Sequence, residues 1–352
     1  MPVHILEAMT REGFEEIVAL HDRRSGLRAF LALHETRRGP AVGGIRRYAY
    51  ASEKGALEDC LRLGVAMTLK LALAGIPAGG GKVVVLDHPK LDLERAYEHL
   101  GRCIERLGGR LYTGPDVGTG GRELAWVGAE TRYVSEPGPG KAGDLAGATV
   151  AGAFAGVRAA LRHLDGAEDW PRRSVVIQGL GEVGARLAER LLEQGARVIA
   201  AEVDQDRAAA VRGRLGLELV PAGSEYDRAC DVFAPCAMGG VLHDLTVQRL
   251  ACRSVVGAAN NILAGNRHGE RLHRRGILYV PDFAVNAGGV MRGAAYHLGG
   301  APASDAEIER RVGEVVERIL ARALEERRTP VDVAVEEATR RLQGRQPHTI
   351  EA

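Results

Sequence analysis

The sequence predicts a two-domain α/β protein with a doubly wound parallel sheet in its second domain. Its 352 residues exceed the length that one hydrophobic core usually organises. Strand-like and helix-like apolar periodicities alternate along the chain, and a glycine-rich turn joins a buried strand to an amphipathic helix within residues 174–194. We place the first domain at residues 1–135, with residues 329–352 packing back on it, and the second at residues 136–328.

Composition excludes several classes of function. The 47 basic and 46 acidic residues leave a formal net charge of +1, whereas a nucleic-acid binder needs a basic surplus. No run approaches the roughly 18 apolar residues of a membrane span, and the N-terminus lacks a basic region followed by an apolar one. We therefore expect a soluble, cytoplasmic protein that binds neither nucleic acid nor membrane. The five cysteines are scattered without a CxxC pair, so neither disulfides nor a metal site is expected.

The first domain is predicted to begin with a β-hairpin. Residues 15–20 and 27–34 alternate apolar and polar side chains around a turn at 22–26. Residues 51–73 then carry apolar side chains at helical spacing, with Ser52 in the N-cap position. Two further elements follow, a buried strand at 82–86 and a helix at 93–107 that ends at Gly108-Gly109.

The second domain is predicted to follow the Pro/Gly-rich segment at 136–140. A helix of small residues at 146–164 precedes a strand–helix–strand unit at 174–202. Short apolar runs of the kind that form parallel strands come next, at 232–234, 254–256 and 277–280. Two helices close the chain, at 305–327 and from Pro330 to about Leu342.

The strand–helix–strand unit carries a dinucleotide-binding motif. The strand at 174–178 runs directly into Gly179-Leu180-Gly181-Glu182-Val183-Gly184, and the next strand ends at Glu202. Gly179 permits the tight turn, Gly181 lets the backbone approach a pyrophosphate, and Gly184 lets helix and strand pack closely, as in a Rossmann fold. Glu202 would accept hydrogen bonds from a ribose diol and would repel a 2′-phosphate, so the predicted cofactor is NAD. The alternative is a structural βαβ unit with a tight turn.

Lysine is rare in this chain, with five lysines among 47 basic residues. Lys70 and Lys82 lie in apolar, glycine-rich sequence. A lysine in such a setting indicates acid–base chemistry more strongly than an arginine would, because a lysine can lose its proton. The segment Gly79-Gly80-Gly81-Lys82 lacks the remaining residues of a phosphate-binding P-loop. We interpret it as backbone that passes close to a ligand, with Lys82 beside it. Two such cations in a poorly hydrated pocket would lower each other's pKa and permit acid–base chemistry.

Polar residues on predicted turns complete the candidate site. Asp116, in a turn between two helices, would either shuttle protons or cap the following helix. Asn260 and Asn261 follow a predicted strand and would put amides near a nicotinamide, as would Asn286. Their alternative is an ordinary polar turn.

These segments together resemble the Glu/Leu/Phe/Val dehydrogenases, which deaminate amino acids oxidatively. The matching segments run in family order along nearly the whole chain, at 39–44, 67–70, 79–82, 113–119, 178–184, 234–240, 257–261 and 281–289. The resemblance implies an active site in the cleft between a catalytic domain and an NAD-binding domain, and a homo-oligomer.

The resemblance also implies roles for individual residues. Lys70 would bind the substrate α-carboxylate, Lys82 would act on the water that adds to the imine, and Asp116 would exchange protons with the amine and the carbinolamine. Asn261 would help hold substrate and nicotinamide ribose. The remaining cofactor-binding positions are Leu180, Glu182, Val183, Thr149, Ala234, Pro235, Cys236, Ala258, Asn260 and Asn286.

The substrate side chain is expected to be hydrophobic. Val42 stands where the glutamate-specific members place a lysine, and Gly293 where they place a hydroxyl residue, so an anionic side chain would be desolvated unpaired. Other pocket positions are Gly44, Gly114 and Val290, and the small residues at 114 and 293 favour a larger, aromatic side chain over a branched one. The alternatives are a glutamate dehydrogenase and a non-catalytic NAD-binding sensor. Ile45-Arg46-Arg47 and Arg292-Gly293-Ala294-Ala295 depart from the family pattern.

Overall fold

A computed structural model describes residues 5–343. Helices and strands alternate along the chain, as the periodicities predict. The helices are α1 (Ile5–Glu12), α2 (Glu53–Leu73), α3 (Leu93–Glu105), α4 (Gly121–Gly128), α5 (Leu145–Asp165), α6 (Glu182–Glu193), α7 (Gln205–Leu215), α8 (Asp244–Arg249), α9 (Asn266–Arg274), α10 (Asp282–Val285), α11 (Gly288–Gly299), α12 (Asp305–Glu326) and α13 (Pro330–Gln343). The strands are β1 (Glu16–Asp22), β2 (Leu27–Leu33), β3 (Ala41–Val42), β4 (Ile45–Tyr48), β5 (Gly79–Leu86), β6 (Leu111–Tyr112), β7 (Ser174–Gln178), β8 (Arg197–Ala201), β9 (Glu218–Leu219), β10 (Cys230–Pro235), β11 (Cys252–Val255) and β12 (Leu278–Tyr279).

The chain divides into two compact units. Unit 1 comprises the residues up to Asp144, Val290–Ala303 and the residues from Ala338 onward, and unit 2 comprises Leu145–Gly289 and Ser304–Glu337. These bounds differ from the predicted ones in three respects. Unit 1 extends to Asp144, beyond the predicted end at residue 135. Most of α11 belongs to unit 1, and unit 2 extends through the first part of α13, to Glu337.

Unit 1 is built on a mixed six-stranded sheet in the order β1-β2-β5-β3-β6, with β4 also paired to β5. The predicted hairpin is confirmed, since β1 and β2 pair antiparallel, and Ser52 caps α2 by accepting a hydrogen bond from the Gly55 N–H. Successive side chains of β5 point to opposite faces. Val83 and Val85 enter the core that contains α3 and α4, whereas Val84 and Leu86 enter the core formed with α2.

Unit 2 is built on a parallel six-stranded sheet in the order β12-β11-β10-β7-β8-β9. Numbered from β7, this is the strand order of a dinucleotide-binding doubly wound fold. Successive strands are added on one side of β7 up to β9 and on its other side from β10 onward, so the strand order reverses between β7 and β10. Ligands of such sheets bind at the carboxyl ends of the strands beside that reversal. The predicted α/β class with a doubly wound second domain is therefore confirmed.

No helix between residues 5 and 343 combines the length and apolar character that crossing a bilayer requires.

Candidate active site

Lys82 and Asp116 form a buried ion pair in unit 1. The Lys82 Nζ lies 2.6 Å from the Asp116 Oδ2, and both side chains are more than nine-tenths buried. Lys82 lies within β5, and Asp116 lies in the loop that follows β6. A pair of this kind can pass a proton between an amine and a carboxylate without help from bulk water.

The charge of Asp116 is set by two cations. Burial alone would raise the pKa of its carboxyl group, but Lys82 and Arg46 outweigh burial and lower the pKa to about 2. The Arg46 Nε lies 3.1 Å from the same Oδ2. Asp116 is therefore an anion near neutral pH, and it can accept a proton from a group that lies against it.

Asp116 does not cap the helix that follows it. That helix, α4, begins at Gly121 with Gly120 as its N-cap, and the Gly120 N–H donates to the Glu123 carboxylate at 2.9 Å. Of the two roles left open by the sequence, helix capping is excluded by this geometry.

The three glycines before Lys82 make room for neighbouring protein atoms. They lie inside β5, where a Cβ at Gly79 would overlap the Glu35 carbonyl and a Cβ at Gly80 would overlap the backbone nitrogen of Thr68. Close approach of this backbone to a ligand stays a prediction. Gly80 lets α2, which carries the buried Lys70 in its last turn, lie directly against the strand that carries Lys82.

Of the predicted pocket positions of unit 1, Gly44 lies against this pair. Val42 is buried and pairs with Gly80 in β5, and a Cβ at Gly44 would lie 3.2 Å from the Asp116 Cβ. On α11, Val290 and Gly293 lie three residues apart, so they share one face of the helix.

A histidine that the sequence argument did not single out lies beside the pocket positions. His297 is one turn beyond Gly293, and its ring packs on that of Tyr112 with centroids 4.5 Å apart. Its Nε2 lies 2.8 Å from the Ser135 Oγ, and a Cβ at Gly114 would lie 3.4 Å from the Ser135 Cβ. Burial lowers the pKa of His297 to about 4, so the imidazole is neutral and presents an aromatic, polar surface.

The glycine-rich turn of unit 2 has the shape that the motif predicts. Gly179 has a φ of +92°, and Gly181 is the N-cap of α6. A Cβ at Gly184 would overlap the Gly179 carbonyl oxygen, whereas a Cβ at Gly181 would meet no atom within 4 Å. Gly184 is thus required for internal packing, and Gly181 leaves open space at the N-terminus of a helix, where phosphate groups bind.

Glu202 is held by the backbone of this turn. Its carboxylate accepts hydrogen bonds from the Leu180 N–H at 2.7 Å and the Val203 N–H at 2.9 Å, with the Asp204 N–H at 3.0 Å. Burial would raise its pKa, but these donors and Arg207 lower it. The side chain therefore stays anionic at the end of β8, where a ribose 2′-phosphate would meet like charge.

Asparagines gather in one part of unit 2. The Asn286 Nδ2 donates to the Ala259 carbonyl and to the Asn260 Oδ1, each at 3.1 Å, and its buried Oδ1 has no partner among residues 5–343. Asn261 has a φ of +52°, a left-handed conformation that often marks a functional position. The Asp282 carboxylate fixes this segment by accepting the Ile262 N–H at 3.1 Å.

Other positions predicted to bind the cofactor lie at or after strand ends or in α5. Ala234 and Pro235 end β10, and the Cys236 N–H donates to the Gln178 carbonyl at the end of β7. Burial raises the pKa of Cys236 to about 11, so its thiol is neutral. Thr149 lies in α5, where a Cβ added to Gly289 would come within 2.8 Å of its Oγ1. Ala258 follows β11.

We expect alanine at Gly181 and alanine at Gly184 to have opposite effects. Gly181→Ala should leave the melting temperature unchanged and weaken NAD binding about tenfold or more, because the added methyl group occupies space that the pyrophosphate needs. Gly184→Ala should lower the melting temperature through its clash with Gly179. Thermal unfolding and NAD titration of both variants test this, and an unchanged NAD affinity in Gly181→Ala would contradict it.

The charged residues that lie behind Asp116 are not among those predicted from the sequence. Arg46 bridges Asp116 and Asp59, and the Tyr50 hydroxyl donates to Asp59. One signal was available, since Asp59 lies eleven residues before Lys70, or about three turns of α2, and so on the same face.

Comparison with known proteins identifies the family. Residues 15–133 match the model described as Glu/Leu/Phe/Val dehydrogenase, dimerisation domain. Residues 140–222 and 205–342 match the model described as Glutamate/Leucine/Phenylalanine/Valine dehydrogenase. Together the matches cover most of the chain, as the motif resemblance predicts.

Individual relatives agree. The chain is 40% identical to a leucine dehydrogenase of Thermoactinomyces intermedius over 84% of this chain and 81% of that protein. It is also 40% identical to a phenylalanine dehydrogenase of the same organism over 82% of this chain and 80% of that protein. The crystal structure of L-tryptophan dehydrogenase from Nostoc punctiforme superposes with a TM-score of 0.81 at 32% identity, covering 97% of this chain and 98% of that one. This chain therefore belongs to the glutamate/leucine/phenylalanine/valine dehydrogenase family.

Proposed function

We propose that this chain catalyses the reversible, NAD-dependent oxidative deamination of a hydrophobic L-amino acid to the 2-oxo acid and ammonium. The observation that carries the proposal is the buried pair of Lys82 and Asp116, whose charged atoms lie 2.6 Å apart in a member of this family. The relatives described above act on leucine, phenylalanine and tryptophan by name.

The three residues of the catalytic set have different tasks. Lys70 binds the α-carboxylate of the amino acid as a buried cation. Asp116 accepts a proton from the substrate amine, and later returns one to the amine of the carbinolamine so that ammonia can leave. Lys82, as a cation, positions the water that adds to the imine carbon by a hydrogen bond to the water oxygen. One proton of that water passes to Asp116, which has by then released the proton it took from the substrate. The other leaves with the ammonia as ammonium, so the water oxygen becomes the keto oxygen of the product.

NAD is the cofactor that the residues fit. When bound, NAD accepts the hydride that leaves the amino-acid Cα. The open space at Gly181 suits a pyrophosphate, the anionic Glu202 disfavours a 2′-phosphate, and the unpartnered Asn286 Oδ1 suits the N–H donors of a carboxamide. Asn261 and Thr149 would hold the nicotinamide ribose and amide.

Removing the charge of Glu202 should shift the cofactor preference from NAD toward NADP. Arg207, 3.4 Å from the Glu202 carboxylate, would then be available to a 2′-phosphate. Glu202→Ala and Glu202→Gln should both raise the kcat/KM ratio of NADP to NAD, by about tenfold for each 1.4 kcal/mol of altered binding. Damage to the turn would weaken the binding of NAD and NADP equally and would leave that ratio unchanged. A constant ratio in both variants would refute the assignment of Glu202.

The side-chain pocket suits an aromatic amino acid. Gly114 and Gly293 contribute no side chain to the predicted pocket, Tyr112 pairs with Val42 between β3 and β6, and the Tyr112 ring packs on that of the neutral His297. Planar rings pack well against one another and against backbone. We expect kcat/KM to rank phenylalanine or tryptophan above leucine, isoleucine and valine.

Initial rates of NADH formation at mildly alkaline pH test the function. We expect turnover of leucine, valine, isoleucine, phenylalanine or tryptophan. The kcat/KM for glutamate should be at least about 100-fold lower, because Val42 provides no cation for the side-chain carboxylate of glutamate. Binding of NAD without turnover of any amino acid would contradict the proposal and favour a sensor.

We also propose that the chain forms homo-oligomers, because residues 15–133 match a model described as a dimerisation domain. Light scattering after size-exclusion chromatography tests this, and a monomer at assay concentration would contradict it.

A further inference from the structure

Four buried charged side chains in unit 1 form a network of ion pairs that includes the candidate catalytic pair. The Lys82 Nζ contacts Asp116 at 2.6 Å. Arg46, on β4, donates its Nε to the Asp116 Oδ2 at 3.1 Å and its Nη1 to the Asp59 Oδ2 at 3.1 Å. All four side chains are at least 86% buried, and their formal charges, two positive and two negative, cancel.

Asp59, at the end of this network farthest from Lys82, lies in α2 and is hydrogen-bonded to the loop before that helix. The Tyr50 hydroxyl donates to the Asp59 Oδ2 at 2.6 Å, and the exposed Arg62 donates to the Oδ1, also at 2.6 Å. Burial and Asp59 raise the pKa of Tyr50, and burial raises the pKa of the neighbouring Cys60 to about 12, so both stay neutral. Lys82, Arg46 and Arg62 are charged groups that contact this pair of carboxylates.

We infer that Arg46 is a positioning residue for the reaction, which holds the Asp116 carboxylate against Lys82, and that Asp59 limits the strength of this hold by sharing the guanidinium. The inference rests on the proposed role of Asp116. A guanidinium can bridge two carboxylates because its donors point in fixed directions. With Asp59 present, its positive charge is divided between two anions, and Asp116 stays basic enough to accept a proton beside a second cation.

The inference predicts opposite effects from the two partners of one ion pair. Asp59→Asn leaves the positive charge of Arg46 uncompensated beside Asp116, which makes protonation of the Lys82–Asp116 pair harder. Arg46→Gln removes that charge and makes protonation easier. The acid limb of the kcat/KM profile reports the coupled pair and not either group alone. It should move to lower pH by about one unit in Asp59→Asn and to higher pH by a similar amount in Arg46→Gln.

Two further variants separate charge from geometry. Arg46→Lys keeps the charge but cannot bridge both carboxylates, so its acid limb should stay near that of the unmodified protein while kcat falls about tenfold or more. Arg47→Gln is the matched control. Arg47 is the next residue of β4, and its guanidinium bonds Asp87 and the Gly118 carbonyl, so its acid limb should not move.

The experiment is a kcat/KM profile against pH for the full chain, with saturating NAD and the fastest amino acid of the panel. Circular dichroism and thermal unfolding identify variants that fail to fold. Asp116→Asn is assayed alongside them, and if it is fully active the proposed role of Asp116 fails. If it is inactive while Asp59→Asn and Arg46→Gln leave the acid limb unmoved, or move it in the same direction, only the present inference is overturned.

Discussion

Lys82→Ala is expected to abolish turnover of every amino acid while leaving NAD affinity intact. Acid–base groups contribute about 10²- to 10⁴-fold to rate, and the substitution also removes one of the two cations that hold Asp116. We therefore expect kcat to fall about 1,000-fold or more. The glycine-rich turn belongs to unit 2, which has a core of its own, so the NAD dissociation constant should change less than about twofold.

The matched control is Lys54→Ala. Lys54 is a half-exposed lysine at the start of α2 that pairs with Glu58, and its replacement should change neither kcat nor NAD affinity. Steady-state kinetics, and NAD titration followed by fluorescence, measure both quantities. The Lys82→Ala protein should stay folded, because Arg46 still neutralises the buried Asp116 carboxylate. Residual turnover within tenfold of the unmodified protein would exclude Lys82 from the chemistry.

Most of the secondary structure could be predicted because it depends on local patterns. The hairpin of β1 and β2, the cap at Ser52 and the turn at Gly179 each lie within a short stretch whose periodicity or turn chemistry fixes it. The bounds of the two units could not be read in this way. The residues of α11 and α13 divide between the units because of contacts between segments far apart in sequence, which no local pattern encodes.

The candidate site shows the same limit. Lys70, Lys82 and Asp116 could be singled out by residue type and local sequence. From the sequence, Lys82 was expected to lie beside a second cation, Lys70. In the structure it forms an ion pair with Asp116, 34 residues later. The link from Arg46 to Asp59 and Asp116 likewise joins a strand, a helix and a loop. Pairing across the sheet creates these contacts, so they become visible only with the fold.

Gly80→Ala is expected to lower both stability and activity more than its size suggests. A Cβ at this position would overlap the backbone nitrogen of Thr68 and would lie 2.6 Å from the Gly64 carbonyl oxygen. Both atoms belong to the backbone of α2, so no side-chain rotation relieves the clash, and overpacking of this kind costs about 1–3 kcal/mol or more.

The displaced helix would also disturb the catalytic lysines, because Lys70 lies in the last turn of α2 and Lys82 lies two residues after Gly80 on the same face of β5. We expect a lower melting temperature together with a kcat reduced about tenfold or more. Gly213→Ala is the matched control. It adds the same methyl group in α7, where no atom lies within 4 Å, and should raise stability by about 0.5–1 kcal/mol without changing kcat. Equal melting temperatures for the Gly80→Ala and unmodified proteins would show that close packing of α2 on β5 does not require this glycine.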